Sequence, residues 1–396
     1  MAWMIDEDKL DPNQREIFNS SIDNNIWIKG FAGSGKSVLL IHKLRKILRD
    51  KPNTQACVVV YTWSMIDMFK TGMNELGISN TIPVITYLNF EKQPHDQKYD
   101  YIFCDEVQDL PESTLVLMKN KLKNNGKIVV SGDSNQSIWP NRVDTEQIGN
   151  ILNANEIGLN YVHRVTRTII NAIHKLIPST NIWSANKEFT PPDRSILLFK
   201  AQREEDEVEY IYKEALKGPD SSSGDRQETS VILIPTHDAI IKFSQLLLKQ
   251  LKKPLWTETK DDFGKNPNYI SLNSHFKDNG VRMQYVGNSN KNGSLQNAES
   301  QKEIILMTYH SSKGLDFSNV FLPFLSWDLY IDKYKPDTLL MVAMTRSKKN
   351  LCLSYTGNIH NKIELLCSDS NIDITEISVT PSKNNGTTNE EIDLGF

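Results

Sequence analysis

Apolar and polar positions alternate in blocks along the first 150 residues. Asn25-Ile26-Trp27-Ile28-Lys29 is a short apolar run with polar ends and reads as a strand. Over 37–50 the apolar residues Val38, Ile41, Leu44, Ile47 and Leu48 fall three and four apart, which predicts a helix packed along one face; Pro52 marks its exit. Strand-like runs recur at 56–62, 82–86, 99–105 and 127–131. The last two are nearly continuous in apolar residues, as in a parallel sheet covered on both faces. A second block follows, with strands predicted at 195–200, 230–234, 303–309, 319–325 and 350–355 and helices at 203–216, 237–251 and 337–347. Two polar stretches, 217–229 and 287–300, read as flexible surface connections. The expected organisation is an α/β unit over 1–150, a second over 151–375, and a disordered polar tail over 376–396.

Composition narrows the class without naming an activity. Of 396 residues, 39% are apolar and 24% charged, as in an ordinary globular chain, and the formal charge is −4. That balance excludes a wholly basic nucleic-acid binder but leaves room for a local basic groove. Cys57, Cys104, Cys352 and Cys367 form no CxxC pair, and the first three lie in apolar runs, which points to buried thiols in a reducing compartment. The apolar runs are too short to span a bilayer and the N-terminus lacks a signal-peptide pattern, so a cytoplasmic protein without membrane partners is expected.

Chemistry concentrates in short motifs. Gly30-Phe31-Ala32-Gly33-Ser34-Gly35-Lys36-Ser37 spaces four residues between two glycines ahead of Lys-Ser, between the predicted strand and helix. Such a loop wraps its N–H groups around phosphates and adds the positive end of the helix. Lys36 is placed on the terminal phosphates of ATP and Ser37 on Mg²⁺. Asp105 and Glu106 end the run Tyr101-Ile102-Phe103-Cys104. At the carboxyl end of a parallel strand, Asp105 can hold the metal while Glu106 polarises water. Gly132-Asp133 and Gln136 follow the next strand, where a neutral amide can sense the γ-phosphate.

In this order the motifs resemble superfamily 1 helicases of the UvrD/Rep type. That family's DExxQD, GDxxQSIY, HxxKGLEF and VAxTR elements stand here as DEVQD, GDSNQSIW, HSSKGLDF and VAMTR, and the likeness runs from Leu10 to about Tyr355. It implies two tandem RecA-like domains, ATP and Mg²⁺ as ligands, and an ATP-driven motor on single-stranded DNA with 3′→5′ polarity. Gln14 matches the adenine-reading glutamine; Gly33, Ser34 and Gly35 belong to the phosphate loop; Gly314 and Asp316 lie on the nucleotide side, Asp316 in place of a ribose-contacting Glu. Leu159 to Arg164 matches LxxNYR, which puts Arg164 on the γ-phosphate from the second domain and His163 where a tyrosine stacks on adenine. Arg346 matches the arginine finger. Trp139, Thr308, His310 and Lys313 match positions near the single strand.

Two departures qualify the likeness. Asn141 stands where an aromatic is usual, and both accessory insertions are missing: about thirty residues separate Thr62 from Asp100, and 287–300 fills the second place. A bare two-domain motor is therefore expected. The second reading is an ATP-driven switch in a larger assembly, with a nuclease or repair factor as partner in repair or phage defence. Backbone contacts and stacking do not distinguish RNA from DNA. The acidic end, 390–396, resembles docking tails but is read as a solvated terminus.

Overall fold

The computed structural model describes residues 3–78, 81–180, 193–223, 228–261, 264–287 and 292–377. Two all-parallel sheets organise them. The first comprises β1 (Asn25–Gly30), β2 (Ala56–Val60), β3 (Val84–Thr86), β4 (Tyr99–Cys104), β5 (Leu122–Gly132) and β6 (Ala154–Leu159), in the order β3-β2-β4-β5-β1-β6. The second comprises β7 (Ile196–Ala201), β8 (Ser230–Ile234), β9 (Met283–Tyr285), β10 (Ile304–Thr308), β11 (Phe317–Leu322), β12 (Ser347–Thr356) and β13 (Ile374–Ile377). Its order is β13-β7-β12-β11-β8-β10-β9.

Each sheet is buried on both faces, which is why its central strands read as apolar runs. Ile26, Ile28, Val58, Val60 and Phe103 pack with Leu40 and Leu44 of the helix Lys36–Asp50. The alternate residues Trp27, Cys57, Val59, Ile102 and Cys104 point into a separate core on the opposite face. In the second sheet Val231, Leu233, Ile305 and Met307 enter one core, and Ile232, Ile234, Ile304 and Leu306 the other. Cys57, Cys104 and Cys352 are buried free thiols, as their apolar neighbours imply, and Cys367 is exposed.

The structure alters several expectations. β6 continues the first sheet, pairing with β1 from Asn25↔Ala154 to Gly30↔Leu159, so the first domain runs past 150 to Leu159. Its sequence, Ala-Asn-Glu-Ile-Gly-Leu, is that of a half-exposed edge strand held by backbone pairing, without a periodic apolar signal. The helix Glu204–Ser221 absorbs the first residues of the supposed flexible stretch at 217–229. Gly218 lets that helix lie directly on the sheet, since a Cβ there would come 2.3 Å from the Ser230 hydroxyl. The stretch 287–300 ends in the helix Leu295–Ser300, capped by the Ser294 side chain. β13 carries the second sheet to Ile377, beyond the expected end at 375; the rest of the tail lies outside the described residues.

Among the described residues no helix is long and apolar enough to cross a membrane. Between β2 and β4 lie the helices Trp63–Glu75 and Tyr87–Glu91 and strand β3, so the segment is spent on the domain's own layers.

Candidate active site

The carboxyl ends of β1, β4 and β5, neighbours in the first sheet, open onto the amino ends of β11 and β12 in the second. β1 leads into the glycine loop, β4 into Asp105-Glu106, and β5 into the turn Ser134–Gln136. Gly314 and Asp316 precede β11, and Arg346 precedes β12. Most of these residues line one cavity of about 110 Å³: Gly33, Gly35, Lys36, Ser37, Glu106, Gln136, Arg164, Gly314, Asp316 and Arg346, joined by Trp3 and Met68.

In the loop, Gly33 and Gly35 adopt left-handed φ of 79° and 82°. A Cβ on Gly33 would approach that of Arg164 to 2.8 Å, and one on Gly35 would come 2.3 Å from Gln14 Nε2. Glycine is required at both on backbone and steric grounds. Gln14 is locked in a capping box: its N–H donates to Asp11 Oδ1 at 2.8 Å and its Oε1 accepts from the Asp11 N–H at 3.1 Å. Gln14 Nε2 also donates to the Ser34 carbonyl at 2.9 Å, so the amide keeps one hydrogen and one lone pair for a ligand. Lys36 Nζ donates to the Gly30 and Phe31 carbonyls at 2.8 and 3.1 Å.

The acidic pair is divided by its surroundings. Asp105 accepts from the Ser37 and Ser131 hydroxyls, each at 2.5 Å. Burial, then the neighbouring Glu106, raises its pKa from the ordinary aspartate value. A divalent cation is the natural counter-charge there, and Ser37 with Asp105 presents the hard oxygen donors it prefers. Glu106 takes a left-handed conformation, φ 53° and ψ 42°, unusual for a residue with a side chain and of the kind stored at functional sites. Its Oε2 accepts from Gln108 Nε2 at 2.5 Å. Burial pushes its pKa up, but Lys313, Lys36 and Arg346 outweigh this and hold the carboxyl below its usual value.

Cations of the second domain and of the link leading into it close the cleft. Arg346 is buried, with Nε on the Val342 carbonyl, Nη1 on Leu315 O and Nη2 3.4 Å from Gln136 Oε1. Burial, then Arg164, lowers its pKa to about 9. Arg164 Nη1 meets Asp316 Oδ2 at 2.8 Å, while Lys348 Nζ reaches the other oxygen at 3.3 Å. Burial alone would raise the Asp316 pKa, yet the two cations bring it well below the carboxylate range. Arg164 was expected from the second domain. It lies instead on the link after β6, where its neighbour His163 donates its N–H to the Gly33 carbonyl at 2.9 Å. The His163 ring pairs with Asp11 at 2.6 Å.

The expected single-strand contacts divide. Trp139 stacks on Tyr61 at 5.6 Å between centroids and lies 4.6 Å from the His310 ring, so it joins aromatics of both domains. Tyr61 stacks in turn on Tyr87, and Arg142 lies over both rings. Thr308 and Lys313 are buried. The Thr308 hydroxyl closes its own turn with Ser311, accepting the Ser311 N–H at 3.0 Å. Lys313 Nζ is 2.6 Å from Asp109 and 3.7 Å from Glu106, and donates to the Gln136 carbonyl. It is a cation bound inside the cleft, not one presented to a passing strand. Asp109, Tyr61, Tyr87 and Arg142 had no assigned role in the sequence; Asp109 closing DEVQD and Tyr61 ending an apolar strand were the available signals.

Comparisons with known proteins agree with this arrangement. The UvrD/REP helicase N-terminal domain matches residues 84–156 and the UvrD-like helicase C-terminal domain residues 270–358. The ATP-dependent DNA helicase PcrA of Staphylococcus aureus is 31% identical over 176 residues, covering 39% of this chain. The Staphylococcus epidermidis protein of that name is 32% identical over the same length. In both cases the chain spans 23% of the relative. A solved structure of S. cerevisiae Dbp5 bound to RNA and ADP BeF3 superposes over 93% of this chain and 89% of that one, with a TM-score of 0.52 and 12% identity, a likeness of fold alone. The chain thus carries matches to both UvrD/Rep-type helicase domains, in chain order, with their motif residues converging on one cavity, and it resembles the superfamily 1 helicases of that type.

Proposed function

We propose that the chain hydrolyses ATP in the interdomain cavity and uses the resulting opening and closing to move along single-stranded DNA in the 3′→5′ direction. The observation that carries this reading is the meeting, around one cavity, of the phosphate loop with Glu106, Gln136, Arg164 and Arg346 from elements on both sides of the cleft. The residues suit a triphosphate. Besides Lys36 at the helix start, Gln136, Arg164 and Arg346 line the cavity with amide or guanidinium donors, and the Arg164 Nε has no hydrogen-bond partner among the described residues.

Each side chain then has a distinct task. Lys36 leaves its loop carbonyls for the phosphates, and the N–H groups opening the helix Lys36–Asp50 cradle them. Ser37 and Asp105 hold Mg²⁺, which when bound neutralises charge on the phosphates and aligns them. Glu106 is held ionised and accepts a proton from the attacking water. Gln136 connects events at the γ-phosphate to the second domain through Arg346. Arg346 and Arg164 stabilise charge developing in the transition state, for which planar guanidinium donors are suited. Gln14 and His163 flank the base, and Asp316 and Gly314 the ribose side. Trp139 and His310 form the aromatic end of the cleft, where a base can stack.

The test is steady-state ATP hydrolysis by the purified chain with and without single-stranded DNA, with Glu106→Gln as the control. Strong stimulation that disappears in the control is expected. Hydrolysis indifferent to DNA would overturn the motor and favour a partner-controlled switch.

A further inference from the structure

The exposed aromatics among the described residues are Trp327, Tyr330 and Tyr334, 70%, 60% and 61% accessible, and all three lie on the loop between β11 and the helix Pro336–Met344. Exposure of several large rings within eight positions needs a reason, because each ring left in water forgoes a substantial burial free energy. Slackness is not the reason. The Trp327 N–H donates to the Asn358 carbonyl at 2.9 Å, and Leu329 N–H to Ser326 O at 3.0 Å. Ile331 is buried between the exposed rings. The Tyr334 and Lys335 N–H groups both donate to Asp332 Oδ1, at 2.7 and 2.8 Å.

The same loop abuts the aromatic end of the cleft. Asp332 Oδ2 is 3.9 Å from His310 Nε2, and the His310 ring is the one beside Trp139. Lys335 Nζ reaches across to the Ser137 carbonyl of the first domain at 2.7 Å. Lys333 is exposed, with its Nζ 5.7 Å from the Tyr334 ring centre.

We propose that Trp327, Tyr330 and Tyr334 form a stacking platform that extends a single-stranded nucleic-acid track beyond Trp139, with Lys333 as its phosphate contact. The proposal rests on the reading of the chain as a single-strand motor. Planar rings beside a cation fit bases on a phosphate backbone, since every base presents a π-face. An aliphatic partner surface fits less well, because Leu329 and Ile331 turn inward and leave rings rather than branched side chains outside. Asp328 and Asp332 balance Lys333 and Lys335 in the loop, so stacking supplies most of the affinity and charge only a little. The platform also offers a second place to grip a strand in a chain with Asn141 where its family carries an aromatic.

The experiment is anisotropy of end-labelled oligo(dT) with the full chain across a salt series, comparing wild type, Trp327→Ala, Tyr330→Ala, Tyr334→Ala and the triple variant. A matched abasic oligonucleotide is run in parallel. Each single variant is expected to bind oligo(dT) roughly tenfold more weakly, at an unchanged thermal midpoint. Loss of binding should vanish on the abasic strand, which has no bases to stack. Lys333→Ala should lower the salt slope by about 0.7. Equal binding of oligo(dT) by wild type and triple variant overturns the platform, as does an equal loss on the abasic strand. A change of oligomeric state with DNA affinity intact overturns it in favour of an interface between copies. A wild-type chain that binds no oligo(dT) overturns the motor reading itself.

Discussion

Lys313→Met removes one charge from the centre of the cleft and keeps most of the volume. The Nζ is 2.6 Å from Asp109 Oδ2 and 3.7 Å from Glu106 Oε2. At an effective dielectric of about 20 these separations correspond to gross attractions of about 6 and about 4 kcal/mol. Dehydrating an ammonium and two carboxylates takes back several kcal/mol per ion, so the intact cluster is close to neutral for stability. Removing only the cation is different, because it leaves buried carboxylates without their partner, a loss of about 3–5 kcal/mol. Burial already lifts Asp109 to about 6 with Lys313 in place, which shows how far the site depends on that cation. The assay is urea unfolding of wild type, Lys313→Met, Asp109→Asn and the double variant. The double variant should recover about 2 kcal/mol relative to the sum of the singles. A coupling within about 0.5 kcal/mol of zero would mean that Lys313 and Asp109 do not depend on each other. Because Lys313 faces inward, the salt slope of oligo(dT) binding should not change; a fall of about 0.7 would restore it as a phosphate contact.

Arg346→Lys keeps the charge but loses the fork; turnover should drop roughly 10³-fold with nucleotide Kd within about threefold, and near-normal kcat would remove Arg346 from catalysis. Gly35→Ala places a methyl against the Gln14 amide at a φ of 82°, so a fluorescent ATP analogue should bind at least about tenfold more weakly, an effect absent if the loop simply relaxes. Glu207 accepts from the Phe324 N–H and the Ser354 hydroxyl, and burial raises its pKa to about 7. The folded chain therefore retains a proton that the unfolded chain releases, and stability should fall as pH rises from about 4.5 to about 7, by at most about 3 kcal/mol. Glu207→Gln should flatten the fall of Tm over that range, and an unchanged slope would assign the dependence elsewhere.

Much of the fold was legible because its cause is local. A strand buried on both faces must be apolar almost throughout, and β2, β4, β8 and β10 announce themselves in that way. The phosphate loop is legible for a similar reason, since a backbone turned left-handed at Gly33 and Gly35 admits little else. β6 escaped notice because a half-exposed edge strand is held by ladder hydrogen bonds that any residue can make, and the domain boundary shifted with it.

The sequence alone therefore determined two parallel α/β units and the chemical types gathered at their motifs. Docking of one sheet's carboxyl edge on the other's amino edge decided which of those groups meet. It brings Lys313 to Asp109 across 204 positions and Arg164 to Asp316 across 152, and it places Trp139 between Tyr61 and His310. Spacing along the chain carries no record of such pairings. They exist because burying two apolar sheets and their helices fixes the cleft, and burial then compels each enclosed charge to take whichever partner the opposite wall provides.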